Sequence, residues 1–120
     1  MSADELKQLL DELSNRWRNR DAQGAAELFS ENAIYSEPPA HELRGRPAIA
    51  SFFRTFFANH YAIEFGFSRI LIGEGEAAAE WSFHYFRASD GRPRRLTGIV
   101  FIDAAAGRIH FWRSFSARLE

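Results

Sequence analysis

The hydrophobic period of this chain changes at Asn59-His60, and that change limits the fold more than any other feature. Before it, Ile49, Phe52, Phe53, Phe56 and Phe57 recur at helical spacing and form one continuous apolar stripe. After it, Ile63, Phe65 and Phe67 alternate with other residues, as a strand requires. Two more helices are expected upstream. Ser2 and Glu5 fit a capping box ahead of Leu6, Leu9, Leu10, Leu13 and Trp17, and Asp21 is placed to cap a short helix carrying Ala25 and Ala26. Gly45-Arg46-Pro47 opens the third helix, since proline suits the first helical position. Between the second and third helices, Ala33 to Tyr35 reads as a short strand.

The strands after His60 form an expected antiparallel meander. Gly73-Glu74-Gly75-Glu76 turns the first strand. Trp81, Phe83 and Tyr85 then share one face, with Glu80, Ser82, His84 and Phe86 on the other. Asp90-Gly91 is a hairpin signal. In the last strand, simple alternation puts Ile109, Phe111, Arg113 and Phe115 on one face and His110, Trp112 and Ser114 on the other. Helices segregated from strands indicate an α+β fold, expected as one domain over residues 1–120. The sheet carries bulky residues on both faces. The outward face, including His84, Phe86, Ile109, Phe111, Arg113 and Phe115, is expected to meet a second copy of the chain.

Composition narrows the function. With 46% hydrophobic residues and 12 Phe, the chain has enough apolar volume for a core and the lining of a cavity. A net charge of -1 lacks the basic footprint of a nucleic-acid binder. The absence of cysteine excludes disulfides and thiol nucleophiles. The polar start, MSADELKQLL, does not resemble a signal peptide, and no run approaches the roughly 20 apolar residues of a membrane span. A soluble, cytoplasmic protein is expected. His41, His60, His84 and His110 show no close pair spacing for a metal, and no cofactor is expected.

The most direct hint of chemistry is Glu37, delivered by Ala33-Ile34-Tyr35 immediately before Pro38-Pro39 and followed by the Phe-rich helix. A carboxylate beside such a cluster is desolvated, which raises its pKa and makes it a candidate proton carrier. A solvated turn residue is the competing reading. His41, in the loop after Glu37, is placed to partner or gate it. His110 is a second candidate proton carrier. Trp17, Tyr35, Phe53, Trp81, Tyr85, Trp112 and Ser114 are candidates to line a ligand pocket between helices and sheet. The arginines at 87, 92, 94 and 95 read as a solvated hairpin tip.

Trp17 to Asp21 (WRNRD), Ala26 to Tyr35 (AELFSENAIY), Gly45 to Phe53 (GRPAIASFF), Ala79-Glu80-Trp81 and Gly107 to Phe115 (GRIHFWRSF), in this order and spacing, resemble the nuclear transport factor 2-like superfamily in its SnoaL-like and ketosteroid isomerase-like branch. The resemblance covers nearly the whole chain. It implies a cone-shaped α+β barrel, with three N-terminal helices packed on a curved antiparallel sheet, an apolar pocket at the wide end, and frequent dimers. It also implies that Glu37-Pro38 occupies the place of the isomerases' general base, with Glu for the usual Asp. Their oxyanion donors would fall near Leu13 and Gly98, which carry no donor side chain. Where cyclases and epoxide hydrolases place aspartates after the final Trp-Arg, this chain has Ser114 and Ser116. Three functions stay open: an enzyme moving a proton on an apolar small molecule, a binding module without turnover, and a dimeric accessory protein.

Overall fold

The computed structural model describes residues 1–119. Among them, three helices, α1 (Ala3–Arg18), α2 (Ala22–Glu27) and α3 (Arg46–Asn59), pack on one six-stranded sheet, as the α+β reading expects. The strands are β1 (Phe29–Glu37), β2 (His41–Arg44), β3 (His60–Ile72), β4 (Glu76–Arg87), β5 (Pro93–Ala105) and β6 (Arg108–Leu119). Their order across the sheet is β2-β1-β6-β5-β4-β3. The sheet curves round the helices without closing, so β2 and β3 are edges.

Local chemistry sets the helix boundaries. Ser2 and Glu5 make the reciprocal capping box that starts α1, and Asp21 accepts from the Gly24 N–H at 2.9 Å to start α2. Leu6, Leu9, Leu10, Leu13 and Trp17 are all buried on one face of α1. Gly45 precedes α3 with φ +91°, a conformation that favours glycine, and Pro47 stands in the first turn. The stripe on α3 divides into two rows. Ile49, Phe53 and Phe57 are buried in the core, whereas Phe52 and Phe56 remain half-buried.

The sheet corrects two local expectations. The segment after Glu37 is not only a turn: β2 pairs back on β1 through Glu37↔His41 and Tyr35↔Leu43. And β1, which extends beyond the expected Ala33–Tyr35, runs parallel to β6, with Tyr35 opposite Trp112.

A bulge overturns the simple alternation in β6. Ala104 pairs with Ile109 and Asp103 with Phe111, which leaves His110 as an extra residue. Ile109 therefore turns inward and is fully buried, while His110 is exposed. His110 does not share the face of Trp112, and Ile109 does not belong to the outward face. In β5, Gly98 is required by close approach: a Cβ there would lie 2.3 Å from the Trp81 ring and 2.4 Å from the Phe115 carbonyl oxygen. No helix of the described residues is long and apolar enough to cross a membrane.

Candidate functional site

Glu37 ends β1, two residues beyond Tyr35, and strand period places both on the concave face. Tyr35 is buried and Glu37 half-buried. Across the β1–β2 hairpin, His41 Nε2 lies 2.9 Å from Glu37 Oε1. The ring N–H does not aim well at that oxygen, so Nε2 is buried without a well-directed hydrogen bond, and the contact works mainly through charge. The carboxylate side chain keeps 33% of its surface open. Burial pushes its pKa up, and the charge of His41 and its contact with the carboxylate pull against that rise.

The surroundings are aromatic. Tyr35 stacks in offset between Trp112, at 5.7 Å and 4°, and His41, at 6.4 Å and 7°. Phe52 lies 4.7 Å from the His41 ring and 5.7 Å from Tyr35. Further along the same mouth of the cone, Phe56 meets Tyr85 edge-on at 5.1 Å. Burial pushes the Tyr85 phenol up, Arg94 pulls it down, and the Glu37 charge pushes it up again, so Tyr85 and Glu37 share one electrostatic neighbourhood. Burial, and then Glu37, holds the Tyr35 phenol well above its ordinary value. Both phenols therefore keep their protons, and their capacity to donate, at neutral pH.

Several residues expected to line a pocket are packed in the core. Trp17 packs against Phe53, Phe56, Phe57, Phe65 and Phe83 at 5.0–6.0 Å. Trp17, Phe53, Trp81, Tyr35 and Trp112 are all buried, at 7%, 0%, 5%, 2% and 4% exposure, as core rather than as an open wall, whereas Tyr85 is half-buried. Trp81 covers Gly98 and donates to Ser114 Oγ at 2.9 Å, which gives Ser114 a structural partner. His110 sits on the bulge, 3.3 Å from the Ala105 carbonyl oxygen, away from Glu37's face. Leu13 is buried and Gly98 lies under an indole, so neither place brings a side-chain donor. The structure brings together Tyr35, Glu37 and Trp112 through β1 and β6, with Tyr85 nearby, and adds Phe52 and Phe56. The width of the α3 stripe, two rows rather than one, was the sequence signal for those two.

His84 is half-exposed on the opposite face, 3.8 Å from Glu64. At the hairpin tip Arg87 clasps Asp90 at 2.6 Å and, with the Arg92 N–H, lowers the Asp90 carboxyl to about 2. Among the described residues, no group of three or more His, Asp or Glu could hold a metal ion.

A profile of the SnoaL-like domain matches residues 10–112. No curated protein matches the chain significantly. Solved structures share the fold at low identity. A LEH-like epoxide hydrolase of M. tuberculosis is 16% identical, with a TM-score of 0.84, over 95% of this chain and 84% of that one. The epoxide hydrolase/cyclase-like enzyme SalBIII of pyran ring formation in the polyether salinomycin is 16% identical, with a TM-score of 0.82, over 92% and 89%. A protein of ketosteroid isomerase-like fold from Catenulispora acidiphila, in complex with trimethylamine, is 10% identical, with a TM-score of 0.80, over 88% and 82%.

The raised carboxyl makes folding pH-dependent. A group whose folded pKa lies above its unfolded value gives stability that is fully present below the unfolded pKa and is lost as pH rises through the folded one. Glu37→Gln removes that loss. The variant's melting temperature should match the parent's near pH 4 and exceed it at about pH 7. A variant less stable than the parent at neutral pH would mean that the charged carboxylate is stabilised in place.

Proposed function

The chain belongs to the SnoaL-like domain family, within the nuclear transport factor 2-like superfamily, and from that premise we propose that it binds a small apolar molecule at the mouth of the cone and moves a proton on it with Glu37. The observation that carries this reading is the position of Glu37: a carboxyl raised by burial, on the concave face, close enough to Tyr35 and Tyr85 to act on both phenols through its charge, and 2.9 Å from one imidazole. As a carboxylate it takes a proton from an activated C–H or O–H of the ligand. As a neutral acid it returns that proton elsewhere, the step shared by isomerisation and cyclisation. The charge of His41, 2.9 Å away, works against the rise that burial imposes on Glu37. Help of this kind is worth about 10²–10⁴ in rate. The named activities of the relatives, epoxide hydrolysis and ring formation, act on small organic molecules and support the substrate class.

A second reading, binding without turnover, is favoured by a specific observation. Leu13 and Gly98 carry no donor for a developing negative charge. Deuterium uptake separates the two. In heavy water, the protein should catalyse exchange of the α-hydrogens of apolar ketones such as α-tetralone. Glu37→Gln should slow that exchange about 10²-fold or more while leaving binding largely intact. Exchange that is equal in parent and variant removes Glu37 from the chemistry, and binding without exchange favours the second reading.

A homodimer through the convex sheet face completes the proposal. Leu71, Ile99, Phe101 and Phe115 are 61%, 47%, 51% and 46% exposed there. With Arg69, Glu80 and Ala78, the first three line an open groove of about 340 Å³. With Ile109 inward, this patch replaces the His84–Phe86 end as the centre of the interface. Arg69 and Glu80 pair in register, so a two-fold axis can set each charge against its opposite. Sedimentation at micromolar concentration should show a dimer burying more than roughly 1,000 Å², and Phe101→Glu should give a monomer. A parent that sediments as a monomer overturns this part.

A further inference from the structure

The convex face carries a set of polar groups that the cone does not use. The strand period that turns Tyr35 and Glu37 inward turns Ser36 outward, and the sheet register sets Glu42 of β2 and Arg113 of β6 on either side of it. These three residues line an open cleft of about 400 Å³ beside the β1–β2 hairpin. Pro38, Pro39 and Phe115 are its apolar walls, and His41 also reaches it.

Two of these groups are left without hydrogen bonds. Ser36 is 3% exposed, yet its hydroxyl has no partner among the described residues. The Arg113 guanidinium makes no hydrogen bond there either, and its Nε is buried without a partner. That guanidinium lies over the Phe111 ring, 4.9 Å from its centre, which braces it. Glu42 does not satisfy it. Its Oε1 stays 3.9 Å from Arg113 Nη2, beyond hydrogen-bond reach, while its Oε2 accepts a 2.8 Å bond from Arg44. The cleft is therefore short of an acceptor. Buried polar groups in folded proteins are nearly always paired, with protein, water or ligand.

The missing acceptor has a definable chemistry. Neighbouring strands lie about 4.8 Å apart, so one small anion can accept from the Ser36 hydroxyl and the Arg113 fork together. A planar carboxylate matches that fork with two parallel bonds. Glu42, 3.9 Å from the guanidinium, repels a second negative charge and disfavours a phosphate dianion. The proline and phenylalanine walls suit a carbon skeleton rather than a bare inorganic ion. We propose that this convex cleft binds the carboxylate of a small organic acid, with Arg113 and Ser36 holding the carboxylate and Pro38, Pro39 and Phe115 covering the apolar body. The site lies on the opposite face from Glu37 and does not depend on Glu37 as a proton carrier. Phe115 also belongs to the patch proposed for the dimer, so an acid bound here lies at the margin of that interface.

The test is NMR on the intact, nitrogen-labelled chain, read at the arginine Nε–H signals, with Arg113→Lys assigning the signal of Arg113. The probes are benzoate, benzamide and inorganic phosphate at equal ionic strength. Benzamide keeps the shape of benzoate without its charge. The Arg113 signal should move and saturate with millimolar benzoate, and move several-fold less with either of the others. The signals of Arg87 and Arg92 at the hairpin tip should stay in place. Ser36→Ala should weaken benzoate about 10-fold or more, as loss of a hydrogen bond to a charged group does. Its melting temperature should equal or exceed the parent's, because the hydroxyl has no bond in the fold to lose. An Arg113 signal that ignores benzoate, or that answers benzamide or phosphate as strongly, overturns the proposal. So does a Ser36→Ala variant that binds benzoate as tightly as the parent, or one that melts lower because its hydroxyl was already paired.

Discussion

The parallel pairing of β1 with β6 sets Tyr35 beside Trp112, although 76 residues separate them in the chain, and the rest of the site follows from that register. With Tyr35 inward, strand period turns Glu37 inward two residues later. The β1–β2 hairpin then returns His41 to within 2.9 Å of the carboxylate. A one-residue slip in this pairing would send Tyr35 and Glu37 to the convex face and leave Ser36 in the cone. Gly45, whose N–H bonds the Ala33 carbonyl at 2.8 Å, fixes the exit from the hairpin and aims α3 across the mouth.

The aromatic side chains divide their work. One set, Trp17 with Phe53, Phe57, Phe65 and Phe83, interlocks through ring contacts of 5.0–5.6 Å and supplies the core. Phe52, Phe56 and Tyr85 stay half-buried and supply the mouth. Glu37 is desolvated without being sealed off, its side chain keeping 33% of its surface open. Burial that raises Glu37 and charge from His41 that lowers it act at one place.

The sequence made legible what local chemistry controls. The caps at Ser2 and Asp21, the opening of α3 at Gly45 and Pro47, the Asp90-Gly91 hairpin and the inward Trp81–Phe83–Tyr85 face all depend on neighbours within a few residues. The approach of His41 to Glu37 was also anticipated, by proximity in the loop. Long-range features were hidden. Parallel pairing of β1 with β6 leaves no local mark, and β2, only His41–Arg44, is too short to show a period. The extra residue at His110 inverts the alternation read from Arg108 onward, which moved Ile109 into the core and His110 out of it. Residue type alone could not tell fully packed rings from half-buried ones either, because Trp17 and Tyr85 differ in neighbours rather than in chemistry.

Central to this structure is a Glu37 carboxyl that burial raises and His41 restrains. Its carboxyl carbon can be followed directly by NMR across pH, in the parent and in His41→Gln. Titration above the ordinary 4.5 in the parent, and higher still in the variant, is the expected result. A parent value at or below 4.5 would contradict it, because Glu37 would then be a solvated or ion-paired turn residue rather than a proton carrier.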